Sequence, residues 1–210
     1  TNIFKFFLAN PANISNFVLA DKDIEVFKRS GANPYYIKKL ENGITSSIFK
    51  FSLNPGKFNK TIYLGKIDER KNQYKYQNIN SIDFVGPLHC NRFIKNNNYI
   101  GSWSRDNVNN RLTEYGNLLL LSKGEADPLV VKEALIAGLG VVVNQTSGQN
   151  LYENPFITII PDNKVDDIDF VEKELIKNRE ISVTIREEIR KYGMEKFDIN
   201  VMCKKYINII

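Results

Sequence analysis

The chain has 210 residues, 42% of them hydrophobic, and a formal charge of +5 at pH 7. That length holds one large domain, or one domain and a piece of another, and the apolar content excludes a disordered chain. No apolar run approaches the roughly 20 residues of a membrane span, and a modest basic excess suits anionic ligands in general without choosing among them. Cys90 and Cys203 are isolated, so neither a disulfide framework nor a zinc site is expected, which suits a reducing, cytoplasmic compartment. The first residue is Thr1 and no signal sequence follows, which points to a domain cut from something longer.

In chain order, residues 1–15 are apolar and aromatic up to an Asn-Pro break and fit a short helix or an edge strand equally. Phe17 to Ala20 reads as a strand, followed by the helix DKDIEVFKRSG with Asp21 as cap and Gly31 as stop. Tyr35 to Leu40 is another strand, ending at an Asn42-Gly43 turn, and the polar residues 45–60 read as a linker. Thr61 to Leu64 is a strand that runs into GKIDERK. Its cations Lys66, Arg70 and Lys71 form either a phosphate-binding turn or a solvated charged turn. A short helix, strand Ile82 to Val85, Gly86-Pro87, strand Asn98 to Gly101 and a helix capped by Ser104 come next.

The segment NLLLLSKGEADPLVVKEALIAGLGVVV is the centre of the chain. Leu118 to Leu121 is a strand, Ser122 to Glu125 a loop, and Asp127 a cap for a helix with Pro128 at its first position. The helix stops at Gly138 and strand Val141 to Val143 follows, which makes a βαβ unit. Strand Ile157 to Ile160 and three helices, Asp166 to Lys177, Val183 to Lys196 and Asn200 to Ile209, complete the chain. Short strands alternating with helices predict an α/β fold, a Rossmann-like doubly wound parallel sheet. Two carboxylates stand out in the central unit. Glu125 lies at the carboxyl end of a strand, where open α/β sheets bind ligands. Glu133 lies on an apolar helix, where a charge is costly unless something bonds to it. His89 follows Gly86-Pro87-Leu88 and reads as an exposed or structural histidine, and Trp103 as a packing residue.

The E-x7-E spacing of Glu125 and Glu133 resembles the donor-binding signature of retaining glycosyltransferases of the GT-B fold, in the large family-4-like group. The resemblance extends in register over FVLADKDIEVFKRSG and YYIKKLENGI, YLGKIDERK, YIGSWSRDNVNNRLTEYGNLLLLS and the closing IREEIRKYGMEKFDINVMCKKYINII. It covers residues 16–210, read as one GT-B half with closing C-terminal helices, and leaves 1–15 as a remnant of a first domain. The chain departs from the family pattern at Lys66, where Arg is usual, at Asn72, often Gly, at Ala126-Asp127-Pro128, and at Gly140, often Pro.

The resemblance implies a role for each matching position. Glu133 would accept hydrogen bonds from the ribose hydroxyls, and Glu125 would meet the donor sugar and the charge developing at its anomeric carbon. The amides of Leu129 and Val130, at a helix N-terminus, would meet the diphosphate, with Lys66 and Lys71 neutralising it. The base would stack near Ile100 in the Tyr99–Gly101 turn. The implied activity is transfer of a sugar from a nucleoside-diphosphate sugar to an acceptor hydroxyl, with no metal and no cofactor besides the donor. The acceptor, whether glycan, lipid or protein, is open, and a partner domain would provide its site. The other reading is a non-catalytic module that holds nucleotide or sugar for another domain or subunit. No basic stripe with interleaved aromatics is present, so nucleic acid is not an expected partner.

Overall fold

The computed structural model describes residues 16–209; the expected helix or strand within 1–15 lies outside them. The chain opens with β1 (Asn16–Val18), α1 (Asp21–Arg29) and β2 (Ile37–Lys39), and β1 pairs with β2 in a separate parallel two-stranded sheet. Asp21 does not cap α1. It is the first helical residue, and its carboxylate pairs with Lys39 at 2.7 Å while Ala20 holds the cap position without a side-chain bond. The Asn42-Gly43 turn is also absent. Gly43 is small for a different reason: a Cβ there would lie 2.8 Å from the Cα of Ile199.

The main sheet has six parallel strands: β3 (Lys57–Leu64), β4 (Ile82–Val85), β5 (Tyr99–Gly101), β6 (Tyr115–Leu120), β7 (Gly140–Asn144) and β8 (Ile157–Ile160). Their spatial order is β5-β4-β3-β6-β7-β8. In sheet sequence this is 3-2-1-4-5-6, the Rossmann order, with its switch point between β3 and β6. β4 and β8 have the expected bounds. β3 begins four residues early, because Lys57 pairs with Tyr115 before a register shift ahead of Thr61, so part of the expected linker is strand. All six residues of β6 and all five of β7 are buried, as strands covered on both faces should be.

The crossovers run β3 to β4 through α2 (Gln73–Tyr76), β5 to β6 through α3 (Arg105–Arg111), β6 to β7 through α4 (Leu129–Ile136) and β7 to β8 through α5 (Gln145–Gly148). The chain leaves the switch point in opposite directions after β3 and after β6. Right-handed crossovers therefore place α2 and α4 on opposite faces. Ser104 caps α3 as expected, its hydroxyl accepting from the amide of Asn107. Gly138 ends α4 with φ +82, the left-handed conformation that follows many helices.

The closing helices are α6 (Ile168–Thr184), α7 (Arg186–Phe197) and α8 (Ile199–Ile209). The expected break between Lys177 and Val183 is not there, because the polar residues in that stretch are used inside the helix. Asn178, 1% exposed, donates to the carbonyls of Val141 and Phe156 and accepts from Asn117 at 3.0 Å, so it bonds α6 to the sheet. The break comes instead at Ile185. The next residue, Arg186, is fully buried and donates to the carbonyls of Ser52, Thr113 and Tyr115. Burial pushes its guanidinium down to about 10, so it stays charged at neutral pH. No helix among the described residues is long and apolar enough to cross a membrane.

At the amino ends of the strands, buried Asp83 accepts from Lys57 at 2.7 Å and Tyr115 at 2.8 Å and lies 3.3 Å from Lys60. Burial alone would raise its carboxyl, but the bonds from Lys57 and Tyr115 and the charges of Lys57 and Lys60 outweigh that and hold it below its ordinary value. A carboxyl depressed in the folded state contributes stability above its unfolded pKa of about 3.9, and that stability is lost as pH falls through the folded value. In urea titrations, the wild-type chain should therefore lose more stability than Asp83→Asn between about pH 5 and about pH 3. Parallel losses in the two proteins would show that Asp83 does not carry this dependence.

Candidate functional site

The carboxyl ends of β3 and β6 face each other across the switch point, and the loops that follow them are stitched together. Tyr63 in β3 is completely buried, and its hydroxyl donates to the carbonyl of Lys71 and accepts from the amide of Leu121 at 3.0 Å. Burial pushes its phenol well above the ordinary value, so it remains a donor. Asn72 donates from its side chain to the carbonyl of Leu121 at 3.0 Å, and the amide of Lys123 donates to the carbonyl of Arg70 at 2.8 Å. Asn72 has φ +58. After Gly, Asn is among the residues that best tolerate this left-handed conformation, which accounts for Asn where the family pattern has Gly. Close by, Gly86 has φ +149, and a Cβ on it would lie 2.0 Å from the carbonyl oxygen of Gly65. Only glycine lets the chain after β4 approach the turn after β3.

On this frame Glu125 is not a solvated loop residue. Its side chain is 13% exposed, and one oxygen, Oε1, receives Lys71 Nζ at 2.8 Å and Arg70 Nη1 at 3.0 Å. The same Arg70 nitrogen donates to the carbonyl of Gly124. The backbone carbonyl of Glu125 accepts from Lys22 on α1 at 2.7 Å and from Gln149 after α5 at 3.0 Å. Residues from separate segments therefore converge on one glutamate.

Glu133 is buried on α4, where its Oε1 accepts from Arg105 Nη1 of α3 at 2.6 Å, and the Arg105 guanidinium also lies over the Phe49 ring. This meets the cost of a carboxylate on an apolar helix. Lys132, next to it and 2% exposed, pairs with Asp127 at 2.7 Å. Asp127 does not cap α4, which begins at Leu129 after Pro128. Instead it is buried and accepts from Lys132, from the amide of Asn42 and from Asn150. The acidic side chain fits because it ties α4 to the segment between β2 and β3 and to the exit of α5.

The other expected residues fall as follows. The amides of Leu129 and Val130 are in the first turn of α4 and have no partner within the helix. Lys71 reaches Glu125. Lys66 does not: it is exposed and its ammonium forms no ion pair among the described residues, while its carbonyl accepts from Gln73. Ile100 is 38% exposed on β5, the edge strand two positions from the switch point. His89 is exposed, and Trp103 is partly buried against Tyr115 with Arg111 over its ring. Sequence reasoning missed Tyr63, Arg70 as the partner of Glu125, and Arg105. Arg70 was visible as a charge beside Lys71, but Tyr63 and Arg105 carry no local signal. No group of three His, Cys, Asp or Glu placed to hold a metal occurs among the described residues. A hollow of about 280 Å³ opens beside Asn72, Lys75, Ser122 and Asn144, and another of about 540 Å³ lies against β8; neither is lined by Glu125 or Glu133.

No protein-family model matches the sequence, and no curated protein matches it. Solved structures do. Sucrose-phosphate synthase from Thermosynechococcus elongatus superposes with a TM-score of 0.75 at 12% identity, over 99% of this chain and 60% of that one. The fold is that of a GT-B glycosyltransferase domain. HepE of Anabaena in complex with UDP gives a TM-score of 0.71 at 12% identity over 91% of this chain and 62% of its own. WaaG, a glycosyltransferase involved in lipopolysaccharide biosynthesis, gives 0.64 at 18% over 92% and 62%. The chain thus spans about three fifths of the length of these GT-B proteins.

If the Tyr63 hydroxyl stitches the two loops, Tyr63→Phe leaves the Lys71 carbonyl and the Leu121 amide without that partner. Chemical denaturation should show a loss of about 1–3 kcal/mol. An unchanged midpoint and slope would mean that the loops are held without it.

Proposed function

We propose that this chain is the donor-binding half of a retaining glycosyltransferase, which moves a sugar from a nucleoside-diphosphate sugar to an acceptor hydroxyl. The observation that carries this reading is the meeting of Glu125, Arg70 and Lys71 at the switch point of a GT-B sheet, with the open N-terminus of α4 and buried Glu133 following in the chain. Open α/β sheets bind ligands in this crevice. HepE, a structure of the same fold, is in complex with UDP, and a related HepE structure with UDP-glucose.

In this reading Glu133 accepts hydrogen bonds from the ribose hydroxyls, and its bond to Arg105 orients the carboxylate. The amides of Leu129 and Val130 and the positive end of α4 receive the diphosphate. Lys71 neutralises it. The diphosphate is the leaving group, so stabilising its developing charge is the main electrostatic task in breaking the glycosyl–phosphate bond. Glu125 faces the donor sugar, its charge opposite the positive charge that builds on the anomeric carbon. The base lies toward Ile100 at the end of β5. Attack and departure take place on one face of the sugar without a dedicated protein nucleophile, the leaving phosphate taking the acceptor's proton. The cations do for the diphosphate what a metal would do elsewhere. A partner domain supplies the acceptor, whose chemistry is that of a glycan, lipid or protein hydroxyl, and the reaction belongs in the cytoplasm.

Calorimetric titration with UDP, GDP and their sugar conjugates tests the reading. The chain should bind at least one of them, and Glu133→Ala should weaken that binding by roughly tenfold, about 1.4 kcal/mol. Nucleotide binding that is indifferent to Glu133 would move the site elsewhere, and no binding by the folded chain would overturn the donor-site assignment. Donor binding without transfer, once an acceptor-binding domain is supplied, would leave a non-catalytic holding module.

A further inference from the structure

We infer that Arg70 is a diphosphate-binding residue and that Glu125 holds the phosphate position in the donor-free protein as an internal counter-anion, which the donor displaces. The inference rests on the donor-site reading above and adds to it a residue and an order of events. The family resemblance put the cations at Lys66 and Lys71. The structure shows a different pair. Lys66 is exposed with no ion pair among the described residues, whereas Arg70 and Lys71 converge on a single oxygen of Glu125 at 3.0 and 2.8 Å. Two cations fixed on one carboxylate oxygen form a receptor for a tetrahedral anion, already shaped and occupied by the protein's own charge.

The charges favour exchange. Arg70 and Lys71 carry two positive charges against the single negative charge of Glu125, and a diphosphate brings more negative charge and more acceptor oxygens than a carboxylate. Arg70 offers a planar fork suited to gripping two phosphate oxygens, a bidentate grip that Lys66, standing where the family has Arg, does not provide. Its side chain is 49% exposed while those of Lys71 and Glu125 are 12% and 13% exposed, so the guanidinium is the member of the trio that an entering anion meets first.

The backbone allows the exchange without moving the loop. Lys22 and Gln149 hold the carbonyl of Glu125, and the amide of Lys123 holds the carbonyl of Arg70. Only the Glu125 carboxylate needs to swing away. Once released, it is free to face the donor sugar, so the diphosphate's arrival itself frees the carboxylate that the sugar needs. A free sugar arriving without the diphosphate finds Glu125 already neutralised.

The test is isothermal titration with inorganic pyrophosphate, a probe independent of the base, on wild type, Glu125→Gln, Arg70→Ala and Lys66→Ala. Folding of each is checked by thermal unfolding. Removing the competing carboxylate should tighten pyrophosphate binding by about threefold or more, the reverse of what the loss of an ordinary binding residue does. Arg70→Ala should weaken it by roughly tenfold, and Lys66→Ala by less than about twofold. Equal or weaker binding by Glu125→Gln would overturn the counter-anion, and a larger loss for Lys66→Ala than for Arg70→Ala would overturn the assignment of Arg70. The donor-site reading is scored separately, by nucleotide binding and its loss in Glu133→Ala. Nucleotide binding that needs Glu133, with no gain from Glu125→Gln, would defeat this inference alone.

Discussion

The candidate site depends on the hydroxyl of Tyr63. A buried phenol at the end of the central strand bonds at once to the loop after its own strand and to the loop after the neighbouring one, at Lys71 and Leu121. In a Rossmann order these two loops belong to crossovers that leave the switch point in opposite directions, so the crossover helices do not join them. Without a bond across the gap, they would move independently. With it, and with the bonds from Asn72 and Lys123 beside it, the cations of one loop and the carboxylate of the other stand in fixed register.

That register concentrates charge, and each carboxylate is answered. Glu125 is matched by Arg70 and Lys71, Glu133 by Arg105, and Asp127 by Lys132. The three arrangements differ in burial. Asp127 and Lys132 are 0% and 2% exposed, and removing one partner of such a pair costs about 3–5 kcal/mol because the other charge is left in a dry interior. This pair is a structural tie from α4 to Asn42 and Asn150. Arg70 and Arg105 reach solvent, at 49% and 52% exposed, while the carboxylates they meet are 13% and 7% exposed, so water reaches the cation of each pair far more than the anion. The pair buried on both sides ties the framework, and the pairs whose arginine reaches water stand at the candidate site.

Much of the fold was legible because periodicity and punctuation are local. β4 and β8 have the bounds that their apolar runs predict, and Ser104 and Gly138 mark the ends that their residue types predict. Errors came where a distant partner overrode local preference. Asp21 and Asp127 have the composition of helix caps, but Lys39 claims the first and the amide of Asn42, 85 residues away, claims the second. Asn178 and Ser182 have the composition of a helix break, yet Asn178 bonds to the sheet, Ser182 bonds back to Asn178, and the helix runs on. Asn42-Gly43 has the composition of a turn, and its glycine is needed instead for the approach of α8.

By itself, the sequence determined the alternation of strands and helices, the loop and helix that carry Glu125 and Glu133, and the likeness to a GT-B donor half. The first two are patterns within a few tens of residues, and the third is a series of such segments in register along the chain. Only the tertiary structure decided the strand order, the partner of each carboxylate and the pairing of Arg70, not Lys66, with Glu125. Those depend on which segments meet: Tyr63 is 58 residues from Leu121, Arg70 is 55 from Glu125, and Arg105 is 28 from Glu133. No periodicity spans such distances, because a side chain's reach across a crevice is set by the sheet order and not by the residues beside it in the chain.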